Sequence, residues 1–135
     1  MGSNADMSIE FTGDYDMADE SHLIISRQGP VTIVGFDESV ILDTYHIDQV
    51  SKQLFGLIDD PNSRRIVLDF ATIKMLSSQT LGVLIKMKRK LDELGGKMVI
   101  SGIDPRLYRV FKVTNLQSIF EFFENNSAAV AALSD

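Results

Sequence analysis

The sequence predicts an α/β domain, a small mixed β-sheet of about five strands flanked by about four helices. Short β-branched runs alternate with segments whose apolar residues recur every three or four positions, as strands and amphipathic helices do. Residues 65–70 are almost continuously apolar, which is typical of a strand that helices cover on both faces. Strands that alternate with helices favour parallel pairing through crossover connections. The predicted element order is β-β-α-β-α-β-α-β-α.

The first two strands are predicted to form a hairpin. Residues 23–28 and 31–36 are rich in Leu, Ile and Val, and Gly29-Pro30 separates them, because proline cannot continue a strand ladder. A helix then begins at Asp43-Thr44, where Asp43 is a suitable N-cap. The polar run 59–63 ends this helix. Its predicted core stripe consists of Ile47, Val50, Leu54 and Leu57.

The second half of the chain continues the alternation. A helix is predicted over residues 78–94, with Gly95-Gly96 as its stop signal, followed by a strand over 97–103. Asp104-Pro105 begins a third helix, residues 119–122 form a last strand, and Ser127 caps a final Ala-rich helix. The predicted core positions of the second and third helices are Leu81, Leu84, Met87, Leu91, Leu94, Leu107, Val110 and Phe111.

Charge divides the chain into two parts. Before Ser21 there are six acidic residues and no Lys or Arg, so the remaining 13 acids face all 13 bases and the net charge of −6 lies in the first part. The first part also lacks sustained periodicity. We therefore expect an acidic, flexible tail over residues 1–20 and a folded domain over residues 21–135.

Several classes of function are disfavoured. The absence of cysteine excludes disulfides and thiolate chemistry and fits a reducing compartment such as the cytoplasm. His22 and His46 form no known nucleophile–base motif, and neither clustered metal ligands nor a glycine-rich phosphate loop occurs, so we expect no catalytic residue, metal or cofactor. A body of balanced charge binds nucleic acid poorly. No apolar run of about 18 residues occurs, so we expect no direct membrane insertion.

One segment stands out, residues 76–82. It follows a buried strand, begins a long helix and carries three hydroxyls at Ser77, Ser78 and Thr80. A helix cap explains these residues, yet the free N–H groups and dipole at a helix start also suit a phosphate. The bases Lys86, Lys88, Arg89 and Lys90 follow on the same helix; a solvated face is the simpler explanation for them than an anion site.

Two blocks resemble a known family. Val67-Leu68-Asp69-Phe70 and the later run Ser77-Ser78-Gln79-Thr80-Leu81-Gly82-Val83-Leu84 are similar to the central block of STAS domains, a name that covers sulphate transporters and anti-sigma factor antagonists. The similarity continues through residues 91–100 and Asp104-Pro105 to the final helix, over about residues 22–133. It implies the STAS fold, a small sheet flanked by helices.

The resemblance also implies that a partner kinase phosphorylates a serine where the second helix begins. Aligned on Gly82, this serine is Ser78, with Ser77 as the rival site. Asp69 and Gly82 match the family pattern, whereas Ser77, Gln79 and Thr80 replace its acidic, Ser/Thr and glycine positions. The expected partner-binding residues are Ser77, Ser78, Gln79, Thr80, Asp43 and Asp69, with the loop 37–43 and the exposed face of residues 86–90.

The leading interpretation is a bacterial anti-sigma factor antagonist, a phosphoprotein that acts in signalling and transcription regulation through protein–protein interaction. Its expected partner is an anti-sigma factor that is also a serine kinase, and a phosphatase is a further candidate partner. Two alternatives keep the fold. One is a non-switching STAS accessory subunit of a lipid or anion transport complex, and the other is a scaffold component of a stress-signalling assembly.

Overall fold

The computed structural model describes residues 23–37 and 44–134. Within these ranges, strands and helices follow one another in the predicted order. The strands are β1 (Leu23–Gln28), β2 (Val31–Phe36), β3 (Arg65–Asp69), β4 (Lys97–Ser101) and β5 (Glu121–Phe123). The helices are α1 (Thr44–Ile58), α2 (Ser78–Glu93), α3 (Pro105–Val113) and α4 (Asn126–Leu133). The predicted α/β class is confirmed, while the predicted tail and the predicted cap Asp43 lie outside the described residues.

The strands form one mixed sheet in the order β1-β2-β3-β4-β5. β1 is antiparallel to β2, and a turn with Gly29 at φ 59° joins them, in the left-handed region that glycine enters without steric cost. The other neighbouring pairs are parallel. Because the register is regular, β2, β3 and β4 end along one edge of the sheet, and α2 and α3 begin beyond that edge.

The sheet is covered on both faces, because its strands send alternate side chains to two separate clusters. The larger cluster joins Ile66 and Leu68 of β3 to the buried faces of α1, α2 and α3. The smaller joins Val67, from between those two residues, to Ala129 and Leu133 of α4. The prediction of a strand buried on both faces is confirmed for β3, so the loop after β3 starts from a rigidly held strand end.

Three side chains that helical periodicity assigned to the core are not fully buried. Leu57 packs against the larger cluster but is only half-buried, whereas its neighbour Ile58 is fully buried. Leu94 is 44% exposed because it is the C-cap residue of α2, and Val110 is 37% exposed because Leu107 and Phe111 occupy the buried face of α3. Spacings of three and four admit either neighbour, and the crossing geometry of the helices selects one.

Some predicted element ends are also corrected. β4 ends at Ser101 rather than at residue 103, where Gly102 adopts φ 66°. β5 begins at Glu121 rather than at residue 119, because Leu116–Ser118 form a 3-10 turn. Asn125, not Ser127, caps α4, since the N–H of Ala128 donates to Asn125 Oδ1 at 2.9 Å.

Candidate functional site

The loop between β3 and α2 is anchored on both sides. Ile73 is buried, and the Thr72 hydroxyl donates to the carbonyl oxygen of Phe36 at 2.9 Å, which ties the loop to the end of β2. On the other side, Lys74 Nζ lies 3.9 Å from Asp104 Oδ2 at the start of α3. The loop before α2 is therefore anchored to the sheet, and an exposed ion pair links it to the start of α3.

Ser77 is the N-cap of α2. It has extended backbone angles, and its Oγ accepts a hydrogen bond from the N–H of Thr80 at 3.1 Å. The same Oγ lies 3.0 Å from Thr80 Oγ1. The Thr80 side chain is only 1% exposed, so it supports the cap and offers no contact surface, contrary to the expectation that it contacts a partner. The hydroxyl of Ser77 is thus engaged in the structure of the helix.

Ser78 is the first residue of α2, and it is exposed. Within the described part of the chain, no acceptor contacts the N–H groups of Ser78 and Gln79, which therefore point out of the helix start as free donors. Gln79 is exposed as well, and Met75, just before the cap, is 70% exposed. The sequence pattern did not single out Met75, because a lone methionine in a polar loop carries no periodic signal.

Gly82 lies one helical turn after Ser78, on the same side of α2. No described atom lies within 4 Å of a Cβ built on Gly82, so packing within the described structure does not require glycine there. A glycine in a helix interior costs about 1 kcal/mol relative to alanine. The surface formed by Met75, Ser78, Gln79 and Gly82, which we call the α2-start surface, therefore combines an exposed hydroxyl with a bare stretch of backbone.

Asp69 does not join the α2-start surface. It ends β3 next to Val67 of the α4-side cluster, and Asn126 Nδ2 of α4 donates to its Oδ2 at 2.9 Å. Its Oδ1 accepts from the N–H of Ala71, also at 2.9 Å. The structure therefore places Asp69 on the opposite face of the sheet from α2, where both carboxylate oxygens stabilise the strand end. Asp43, the other acidic residue expected at the site, lies outside the described residues.

The bases of α2 are partly neutralised. Lys88 pairs with Asp92 at 3.1 Å, and Lys90 pairs with Asp59 at 3.4 Å. Lys86 and Arg89 are exposed, and no ion pair joins either to another residue in the ranges the structure covers. The basic cluster of the sequence thus consists of two lysines in ion pairs and two cations that are unpaired within the described residues.

Other chemistry is scarce in the described ranges. No group of three or more His, Cys, Asp or Glu residues there is placed to hold a metal ion. No described helix combines the length and the apolar character that a membrane crossing needs. One carboxyl has a shifted pKa: hydrogen bonds from the side chain and backbone of Arg106 hold the pKa of Asp104 below its usual 3.8.

Together, the five-stranded mixed sheet and the helices on both of its faces define a small α/β domain with an exposed helix start at one end of the sheet. The STAS domain profile matches residues 22–129, so the chain belongs to the STAS domain family. The resemblance found in the sequence is thereby confirmed.

Individual proteins are similar to this chain. One is BtrV of Bordetella bronchiseptica, which is named as a candidate anti-sigma factor antagonist. The two chains are 27% identical over 92 residues, which cover 68% of this chain and 78% of BtrV. An anti-sigma-factor antagonist (STAS) domain protein from Planctomyces limnophilus has a similar fold, with a TM-score of 0.77 at 15% identity over 84% of this chain and 98% of that one. SpoIIAA of Bacillus, solved in its phosphorylated form, gives a TM-score of 0.64 at 14% identity over 82% and 97% of the two chains.

Proposed function

We propose that this protein is an anti-sigma factor antagonist that Ser78 phosphorylation switches off. In the unphosphorylated state the α2-start surface binds an anti-sigma factor kinase of the bacterial cytoplasm, and the bound kinase releases its sigma factor. Transfer of a phosphoryl group from ATP to Ser78 Oγ weakens that complex, and a phosphatase restores the free hydroxyl. The name of the relative BtrV and the phosphorylated form of SpoIIAA support this proposal.

The observation that carries the proposal is the different use of two adjacent serines. The Oγ of Ser77 accepts the capping hydrogen bond from Thr80, whereas Ser78 is exposed beside free N–H groups. Modification of Ser78 leaves this capping hydrogen bond untouched, whereas modification of Ser77 would have to replace it. This favours Ser78 over its rival Ser77 as the phosphate acceptor.

The helix start explains how the domain itself would tolerate the phosphate. A phosphoserine adds a charge of about −1.5 to −2 at neutral pH. The free N–H groups and the dipole at the start of α2 stabilise an exposed anion by roughly 0.3–1 kcal/mol. The unfolding free energy should therefore stay the same or rise slightly on phosphorylation, so the switch acts on binding and not on folding.

The partner complex would respond in the opposite way. A docked partner covers Ser78, and the same charge is then desolvated against a surface that fits a neutral hydroxyl. Such an uncompensated charge in an interface costs about 2–5 kcal/mol, and every 1.4 kcal/mol is a factor of ten in affinity. Exposed Met75, three residues before Ser78, supplies a flexible apolar contact of the kind common at binding surfaces.

A phosphorylation assay tests the site assignment. The full chain is incubated with ATP and with each serine kinase of the anti-sigma type encoded in the same genome, and the modified residue is located by mass spectrometry. We expect one phosphate in the wild type and in Ser77→Ala, and none in Ser78→Ala. Phosphate on Ser77, or no phosphate with any of these kinases, contradicts the proposal. A stable complex without modification would favour the non-switching transport or scaffold role instead.

A further inference from the structure

The outer face of α3 carries an exposed patch that the α2-start surface does not include. Leu107 and Phe111 bury one side of the helix against the core. The opposite side exposes five residues, which we call the α3 face: Arg106, Arg109, Val110, Lys112 and Val113. Val113 is 81% exposed, the largest exposed fraction among the exposed large hydrophobic residues in the described ranges. The face thus mixes bare apolar surface with three cations.

The cations of the α3 face are largely uncompensated. Arg106 pairs with the cap residue Asp104 at 3.3 Å, but no ion pair joins Arg109 or Lys112 to any residue in the described ranges. Arg109 and Val113 are one turn apart and form a ridge between two shallow clefts of about 250 and 390 Å³. The surface therefore has the charge and the shape to hold an acidic segment with apolar side chains.

From this complementarity we propose that the α3 face binds the chain's own acidic segment, residues 6–20. That segment holds six acids, from Asp6 to Glu20, and no Lys or Arg, so it accounts for the whole net charge of the chain. It also carries Ile9, Phe11 and Tyr15, whose side chains can occupy the apolar clefts. Segment and α3 face match in both charge and apolar content, whereas the free cations of α2, Lys86 and Arg89, lack a comparable exposed apolar neighbour.

The chain is long enough to make this contact. Leu23 begins β1 at one side of the sheet, and α3 packs beside β5, where Tyr108 and Phe122 rings lie 5.0 Å apart. Four strand spacings of about 4.8 Å separate β1 from β5, or roughly 19 Å. Eleven residues lie between Phe11 and Leu23, and the chain from Phe11 to Leu23 spans up to about 40 Å when extended. The tether also gives the segment an effective concentration on the order of 1 mM, so weak contacts suffice.

Paramagnetic labelling of the full chain tests the contact. Because the protein has no cysteine, Ser8→Cys accepts a single nitroxide within the acidic segment. We expect the amide signals of residues 106–113 to lose at least about half of their intensity at low salt, near 20 mM. They should recover near 500 mM salt, where the screening length is only about 4 Å. Broadening elsewhere on the domain, or none at all, overturns the proposal.

Matched charge reversals provide the control. Arg109→Glu with Lys112→Glu should abolish the broadening on α3, because the double change replaces attraction by repulsion. Lys86→Glu with Arg89→Glu makes the same charge change at the same spacing on α2 and should leave the α3 broadening intact. Equal effects of the two pairs, or broadening of an unlabelled ¹⁵N protein by a nitroxide-labelled second copy, would refute the intramolecular contact. No partner protein enters this test, so its result is independent of the proposed switch.

Discussion

Replacing Gly82 by alanine should stabilise the protein and weaken its proposed complex with an anti-sigma factor. Gly82 lies inside α2, and nothing described lies within 4 Å of the added Cβ. Alanine in place of glycine in a helix interior is worth about 0.5–1 kcal/mol. With a urea slope of about 2 kcal/mol/M for a domain of this size, the unfolding midpoint should rise by roughly 0.3–0.5 M, with the slope itself unchanged.

The same methyl group should obstruct a partner that approaches the bare backbone at Gly82. Overpacking by a methyl group costs about 1–3 kcal/mol, so affinity for the anti-sigma factor should fall at least about fivefold. Gly56 is the control, because it lies in α1, is exposed, and also has no described atom within 4 Å of an added Cβ. Gly56→Ala should not weaken binding. If Gly82→Ala gains no stability, α2 is not a regular helix there, and if it binds normally, the partner does not contact this turn.

Three further predictions concern the domain itself. Leu84→Ala empties a position that is 2% exposed and should cost about 2–5 kcal/mol in urea unfolding; a near-silent change would mean that α2 packs through another face. Ser77→Ala removes the cap of α2 and should cost about 1 kcal/mol by the same measurement, and an unchanged unfolding free energy would contradict the cap. The Asp104 carboxyl, whose pKa Arg106 lowers, contributes stability that is present above its unfolded-state pKa and is lost as the pH falls through the lower folded value. Arg106→Gln should raise the pKa of Asp104 toward 3.8 in an NMR titration, and an unshifted value would rule out that cause.

Much of the fold could be predicted because local and global signals agree. The β1–β2 hairpin follows from two β-branched runs around Gly29-Pro30, and the cap at Asp104 follows from an acidic residue before a proline. The sequence could not predict that Leu57 is less buried than Ile58, or that Val110 is exposed while Phe111 is buried. Such neighbours differ by only about 100° around a helix, and only the packed partner decides which is buried.

The sequence names candidate site residues but does not distinguish the structural position that each of them takes. Four polar residues in a row, from Ser77 to Thr80, look alike in sequence. In the structure the hydroxyl of Ser77 caps α2 by accepting the Thr80 N–H, whereas Thr80 is buried and Ser78 is exposed. Asp69 matched the family pattern, but strand alternation sends its side chain to α4, away from α2. Which face a strand-end residue takes depends on register, and no local signal at Asp69 sets it.

The central claim, that a negative charge at Ser78 releases a partner, is tested most directly by titrating the anti-sigma factor with wild type, Ser78→Asp and Ser77→Asp. Aspartate is as good an N-cap as serine, so the carboxylate of Ser77→Asp should accept the Thr80 N–H and leave binding within about threefold of wild type. Ser78→Asp should fold normally and bind at least about tenfold more weakly, a loss of about 1.4 kcal/mol or more. Equal affinity of wild type and Ser78→Asp for the same partner would contradict the switch.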